Sequence, residues 1–159
     1  GREVDRNMVL AIASYHDVGI RHGRKDHELT SARYLLEDGT LERWFTPEQR
    51  RIMAEAVEDH RASKDGEPRT IYGRIVSEAD RDIDPEVAVR RCVEYGKAHQ
   101  PELDREGQLR RIEEHVREKY GVGGYLHLWL PCPRNERGLS TLREWLETGK
   151  LREVCEKYV

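Results

Sequence analysis

Apolar residues recur at spacings of three and four positions along most of this chain, and charged residues fill the positions between them. This period places the apolar side chains on one face of an α-helix. Only 36% of the residues are hydrophobic and 37% are charged, which is typical of helices with Glu, Lys and Arg on their outer faces. We therefore predict an all-α fold, and the length of 159 residues predicts a single domain.

The charge and the hydrophobic pattern exclude several kinds of partner. The 28 basic and 31 acidic residues nearly balance, with no long run of one sign, so we expect no nucleic-acid polymer as partner. No apolar run is long enough to cross a bilayer, so no membrane partner is expected. The start of the chain does not resemble a signal peptide, although the missing initiator Met suggests that an N-terminal part is absent. Oligomeric state is left open.

The cysteines predict a reducing environment. Cys92, Cys132 and Cys155 are far apart in the sequence and form no CxxC pair. This spacing indicates neither a zinc knuckle nor a disulfide framework. A cytoplasmic location is the simplest prediction.

The helices can be placed from the apolar spacing and from their start signals. A first helix is predicted to stop at Gly19, and "HELTSARYLLEDG" reads as a second helix with Leu29, Ala32, Leu35 and Leu36 inward. "TPEQ" predicts a capping box that begins a third helix, which runs to about His60. "TIYGRIVSEADRDI" reads as the fourth helix. Further helices are predicted at about 85 to 98, at 102 to 120 and in a closing pair, whereas "YLHLWL" fits strand or helix.

Five histidine and aspartate residues fall at the ends or on the inward faces of these helices. They are His16, Asp17, His27, His60 and Asp80. Buried imidazoles and carboxylates are ligands for divalent transition metals. A pair of metals bridged by one carboxylate can polarise a phosphate and lower the pKa of a bound water to about 7; Asp17, next to His16, would be a natural bridge.

Each of these residues could also have a purely structural role instead of binding a metal. A single inward histidine is more often a hydrogen-bonded core residue than a ligand. The order of the motifs favours a metal site: His-Asp at a helix end, then two histidines, then an aspartate on another inward face. We expect His99, His115 and His127 to be ordinary helix or surface residues, and Trp44, Trp129 and Trp145 to lie in the core.

This order resembles the HD-domain superfamily of metal-dependent phosphohydrolases. "YHDVG" resembles its His-Asp motif and "HELTSA" its histidine-led helix, while "EAVEDHR" and "IVSEADRDID" are similar to the stretches with the next His and the last Asp. The resemblance spans residues 8–84. It implies an HD-domain-like helical bundle within one domain, residues 1–159, with variable C-terminal helices at 85–159.

The resemblance also implies roles for these residues. His16, Asp17, His27, His60 and Asp80 would hold one or two divalent ions (Mn, Fe, Mg, Co, Ni or Zn), and Asp17 would be the catalytic residue. The family normally has a further histidine upstream, but no histidine precedes His16 in this sequence. Either that ligand belongs to a segment absent from this chain, or this member has lost part of its site.

Three arginines are candidates for binding the substrate. Arg21 follows the His-Asp turn, and Arg61 and Arg81 each follow a proposed ligand. Guanidinium groups match phosphate in geometry and charge.

Three function classes follow from these observations. We predict a metal-dependent phosphohydrolase whose substrate is a small phosphorylated molecule, for which a nucleotide is one candidate. The alternative is a degenerate, non-catalytic helical module that binds a metal or a nucleotide. A plain helical interaction protein would require the five side chains to point in unrelated directions.

Overall fold

The computed structural model describes residues 3–64 and 66–159, and within them the regular structure is all helical. The all-α prediction is confirmed. The chain forms two compact units, Gly1–Arg81 and Asp82–Val159, and the single-domain prediction stays a prediction. In the described part no helix is long and apolar enough to span a membrane.

The described residues of the first unit form four α-helices. They are α1 (Arg6–Tyr15), α2 (His27–Glu37), α3 (Pro47–Glu58) and α4 (Ile71–Asp80), with short 3-10 helices at Val18–His22 and Gly39–Arg43. The predicted capping box is present, because the Thr46 side chain accepts from the Gln49 backbone and the Gln49 side chain accepts from the Thr46 N–H. α3 ends at Glu58, so His60 lies just beyond the helix and not within it.

Apolar side chains of all four helices form the core of this unit. Its buried members are Met8, Ile12, Ala32, Leu35, Phe45, Met53, Ala54, Ala56, Val57 and Val76. The prediction that Leu29 and Leu36 face inward is wrong, because their exposed fractions are 54% and 47%. Trp44 was also predicted in the core and is 74% exposed. Residue type overstated burial at all three positions. Helix α2 has only a narrow stripe facing its neighbours, and Trp44 lies just after the 3-10 helix Gly39–Arg43.

The second unit has four further α-helices. They are α5 (Pro85–His99), α6 (Arg105–Tyr120), α7 (Pro133–Thr148) and α8 (Lys150–Cys155). Asp84 and Asp104 cap α5 and α6 by accepting from Val87 N–H and Gly107 N–H. The "YLHLWL" segment is neither strand nor helix. The core of the second unit includes Val89, Leu109, Ile112, Val116, Leu142, Trp145, Leu151 and Val154.

The cysteines are free thiols, of which Cys155 is buried. Cytoplasmic location stays a prediction.

Candidate metal centre

The five proposed ligands come from the ends of four helices. His16 follows the last residue of α1, and Asp17 comes directly after it; His27 is the first residue of α2. His60 lies two residues beyond α3, and Asp80 is the last residue of α4. Helix ends that meet at one point therefore bring together side chains that are up to 64 positions apart in the sequence.

Asp17, His27 and His60 form the most compact group. Asp17 Oδ1 lies 3.1 Å from His27 Nε2 and 3.5 Å from His60 Nε2. The two Nε2 atoms are 3.4 Å apart. In a tetrahedral site with bonds of about 2.1 Å, two ligand atoms lie about 3.4 Å apart, so these three atoms are spaced as a single metal ion requires.

His16 and Asp80 lie on the other side of Asp17. His16 Nε2 is 3.6 Å from Asp17 Oδ2 and 3.6 Å from Asp80 Oδ1. The rings of His16 and His60 meet edge to face, with centroids 5.1 Å apart. Asp17 thus has one carboxylate oxygen toward His27 and His60 and the other toward His16.

All three histidines are oriented with Nδ1 toward the backbone and Nε2 toward the cluster. Each Nδ1 lies within hydrogen-bond distance of a backbone carbonyl three residues earlier: Ala13 for His16 (2.8 Å), Arg24 for His27 (2.9 Å) and Val57 for His60 (2.6 Å). A carbonyl can only accept, so each Nδ1 carries the proton. The other nitrogen is then the one available to a metal.

The charges of the cluster are strongly coupled. The interaction with the Asp80 carboxylate, 3.6 Å away, raises the pKa of His16 to about 9, although burial acts in the opposite direction. The same interaction lowers the pKa of Asp80. The pKa of His60 is lowered chiefly because this imidazole is buried. His60 is thus favoured in the neutral form that binds metal, whereas His16 must release a proton before it can.

Packing against α2 fixes the position of Asp17. The N–H of Gly19 donates to Ser31 Oγ at 2.8 Å, and both residues are buried. A side chain at position 19 would overlap the His27 carbonyl. Asp17 and His27 are thereby held together although they are ten residues apart.

Ionic contacts that were not predicted from the sequence surround His27 and His60. Glu28 Oε2 is 3.5 Å from His27 Nδ1 and accepts from Arg61 Nη1 at 3.2 Å. Asp59, next to His60, has a fully buried side chain that accepts from the backbone N–H of Arg69 at 2.7 Å and is paired with Lys64. The carboxylates in "HE" and "DH" are adjacent to proposed ligands, which is the signal that could have revealed them.

The three predicted substrate-binding arginines lie in different environments. Arg61 is paired with Glu28, and Arg21 stacks on Tyr34, with 4.6 Å between its guanidinium carbon and the ring centroid. Arg81 is buried, and its Nε and Nη1 have no hydrogen-bond partner among the described residues. Among the described residues, no hydrogen bond or ion pair joins these arginines to the five clustered side chains, so substrate binding by them stays a prediction.

In a comparison with models of protein families, the model of the HD domain family matches residues 1–82, which is just over half of the chain. The chain belongs to the HD domain family. The family membership expected from the sequence motifs is confirmed. Members of this family are in general metal-dependent hydrolases. Neither the curated proteins nor the solved structures contain a match to this chain.

Proposed function

We propose that this HD domain protein is a metal-dependent phosphohydrolase that acts on a small phosphorylated molecule, with a nucleotide as one candidate. His16, Asp17, His27, His60 and Asp80 would hold one or two divalent ions. The observation that carries the proposal is the position of Asp17, whose two oxygens face separate groups of imidazoles. A carboxylate in this position can bridge two cations.

The donor set suits particular metals. Mixed imidazole and carboxylate ligands favour Mn, Fe, Co, Ni or Zn, whereas Mg prefers oxygen ligands alone. Such ions polarise a phosphate oxygen and lower the pKa of a bound water to about 7. Asp17 would supply negative charge to both positions, and the hydrogen bonds from Nδ1 of the histidines to backbone carbonyls would keep their Nε2 atoms directed into the centre.

Arg81 and Arg61 are proposed to neutralise the phosphate. A buried guanidinium with two unpaired nitrogens, as in Arg81, is stabilised by an anion. Arg61 would share its Nη1 between Glu28 and the substrate. Arg21 is proposed to contact the substrate at the rim of the centre, because it is exposed and lies four residues after Asp17.

A second function is favoured by one feature of the sequence. No histidine precedes His16, so the ligand that the family has upstream is not among these residues. The alternative is therefore a non-catalytic module that binds a metal or a nucleotide at the same cluster. In either function we propose a single HD-domain-like module in the cytoplasm, with no nucleic-acid polymer or membrane as partner.

The test combines metal analysis with hydrolysis. The protein is purified without chelator, its metal content is measured by mass spectrometry, and nucleotides and sugar phosphates are offered as substrates. In Asp17→Asn we expect hydrolysis to be abolished while the circular dichroism spectrum stays unchanged, because an amide does not supply the bridging charge.

Asp26→Asn is the matched control. Asp26 lies in the turn between Asp17 and His27, and its φ of 54° is one that asparagine tolerates. The control should keep full activity. Bound metal without hydrolysis of any substrate would favour the non-catalytic module, and unchanged turnover of fully loaded Asp17→Asn would refute the bridging role.

A further inference from the structure

The turn between Asp17 and His27 carries three cations that lack acidic partners. Arg21, Arg24 and Lys25 are exposed, and none forms an ion pair with a carboxylate of the described residues. The cations that follow His60 differ, because Arg61 and Lys64 are paired with carboxylates. Three like charges within five positions repel one another, and a bound anion would relieve that repulsion.

This turn is attached to the proposed metal centre at both ends. Asp17 comes immediately before the 3-10 helix Val18–His22, and the N–H of Gly19 is bonded to Ser31 of α2. At the other end the carbonyl of Arg24 accepts from Nδ1 of His27 at 2.9 Å. The backbone that carries the three cations is therefore the same backbone that positions two of the proposed ligands.

The proposed metal centre is exposed to solvent on the side of Asp17, the residue from which the turn begins. His27 and His60 are buried, with exposed fractions of 7% and 3%. The side chains of Asp17 and Asp80 are 46% and 47% exposed. A substrate must therefore approach on the side of these carboxylates. The turn leaves the centre at Asp17, so it borders this approach.

The distance between the turn and the centre suits a second phosphate. Arg21 lies four residues beyond Asp17, mostly along a 3-10 helix, and a rise of about 2 Å per residue separates their backbones by about 8 Å. An arginine or lysine side chain can cover most of that distance. An anion one phosphate or one ribose away from the reacting group is within its reach.

Arg21 is already oriented by its neighbours. Its guanidinium stacks on the ring of Tyr34, and its Nε–H donates to His22 Nε2 at 3.2 Å. The same nitrogen of His22 lies 2.6 Å from the Tyr34 hydroxyl. Stacking on one face and a bond at Nε leave the terminal nitrogens of Arg21 for an anion, with part of its side-chain entropy already lost.

We propose that Arg21, Arg24 and Lys25 bind a second phosphate group of the substrate. The substrate class is then a small molecule with two phosphates, such as a nucleoside diphosphate or a nucleoside bisphosphate. One phosphate lies at the metal centre and the other at the turn. This inference rests on the proposed function, because it takes the centre as the site of the reacting phosphate.

The test uses the double variant Arg24→Gln/Lys25→Gln and three compounds that share one nucleoside. AMP carries a single phosphate, whereas ADP and adenosine 3′,5′-bisphosphate each carry two, with different spacing. With Mn²⁺-loaded protein, we expect a higher kcat/KM for at least one of the two-phosphate compounds than for AMP. The variant should reduce that kcat/KM by ~10-fold to ~100-fold, mainly through KM, because two charged hydrogen bonds are lost. Hydrolysis of AMP should be little changed.

Arg43→Gln is the matched control, because Arg43 is an exposed arginine of the same unit in a different 3-10 helix. It should leave all three compounds unaffected. Equal kcat/KM for AMP and both two-phosphate compounds, altered to the same extent in the double variant, would overturn the inference and leave the phosphohydrolase intact.

Calorimetric binding separates this inference from the proposed function. If none of the compounds is hydrolysed, tighter binding of a two-phosphate compound than of AMP, lost in the double variant, would support the second-phosphate site while the hydrolase proposal fails. Equal affinity for all three compounds would overturn the site whatever the activity.

Discussion

Gly19 packs directly against the backbone of His27. A β-carbon at position 19 would overlap the carbonyl oxygen of His27 and lie 2.9 Å from the backbone nitrogen of Ser31. The absence of a side chain therefore allows the 3-10 helix after Asp17 to lie on the first turn of α2. The spacing of 3.1 Å between Asp17 Oδ1 and His27 Nε2 depends on this approach.

Gly19→Ala should accordingly damage both stability and metal binding. The clash is with backbone atoms, which cannot move aside as a flexible side chain could, so we expect a loss of ~1–3 kcal/mol in the free energy of unfolding. Bound metal should fall as Asp17 and His27 separate. Thermal unfolding and metal analysis measure the two effects. Gly39→Ala is the control, because a β-carbon at position 39 meets no atom within 4 Å; a similar loss in both variants would contradict the role of Gly19.

Asp59 is expected to be a main stabilising residue of the segment that follows His60. Its side chain is fully buried and accepts from Arg69 at the backbone N–H and at the guanidinium, besides pairing with Lys64. In Asp59→Asn the amide NH₂ would face these donors, so we expect the protein to lose ~2–4 kcal/mol in the free energy of unfolding. The measurement is urea denaturation.

Glu58→Gln is the comparison for that experiment. Glu58 is partly exposed and pairs with the same Arg69 at 2.5 Å, and an ion pair of this kind contributes only ~0–1 kcal/mol. If the two variants lost equal stability, the buried position of Asp59 would not be what stabilises the segment.

The helices and the five clustered residues could be predicted from the sequence because local signals determine them. The Thr46 capping box and the apolar period are set by neighbours within four positions. The cluster could be anticipated because the order of its four motifs resembles that of the HD-domain superfamily. Trp44 shows the limit, because the burial of a side chain depends on which residues pack against it, and this indole is 74% exposed.

The supporting contacts could not be predicted in the same way. Asp59 reaches Arg69 and Glu28 reaches Arg61 across 10 and 33 positions, and such pairs depend on how the helices come together. Charged residues are frequent in this chain, so sequence alone offers many equivalent pairings. Gly19 is similar: its need to be glycine arises only from the approach of α2.

Cys155 should be almost inert toward alkylation in the folded protein. Burial raises the pKa of this thiol to about 11, and its exposed fraction is 1%. At pH 8 the reactive thiolate is then rarer by ~200-fold than in an unfolded chain with a pKa near 8.5. Mass spectrometry after a timed iodoacetamide pulse should show Cys155 modified in urea and unmodified in buffer. Rapid modification in buffer would show that α8 opens from its unit.

Substitution by glutamine should affect metal binding at His27 but not at His22. His27 and His22 are five residues apart, and each carries a hydrogen bond at a ring nitrogen, but only His27 has its Nε2 in the cluster with Asp17 and His60. His27→Gln should lower the affinity for Mn²⁺ or Zn²⁺ by at least ~10-fold, because one of three convergent ligands is removed. His22→Gln should leave that affinity unchanged. Competition with a chelating indicator gives both values at fixed pH. Equal loss in the two variants, or none in His27→Gln, would show that the metal does not bind through His27 Nε2, and would leave the hydrogen bond to Arg24 as the only role of that imidazole.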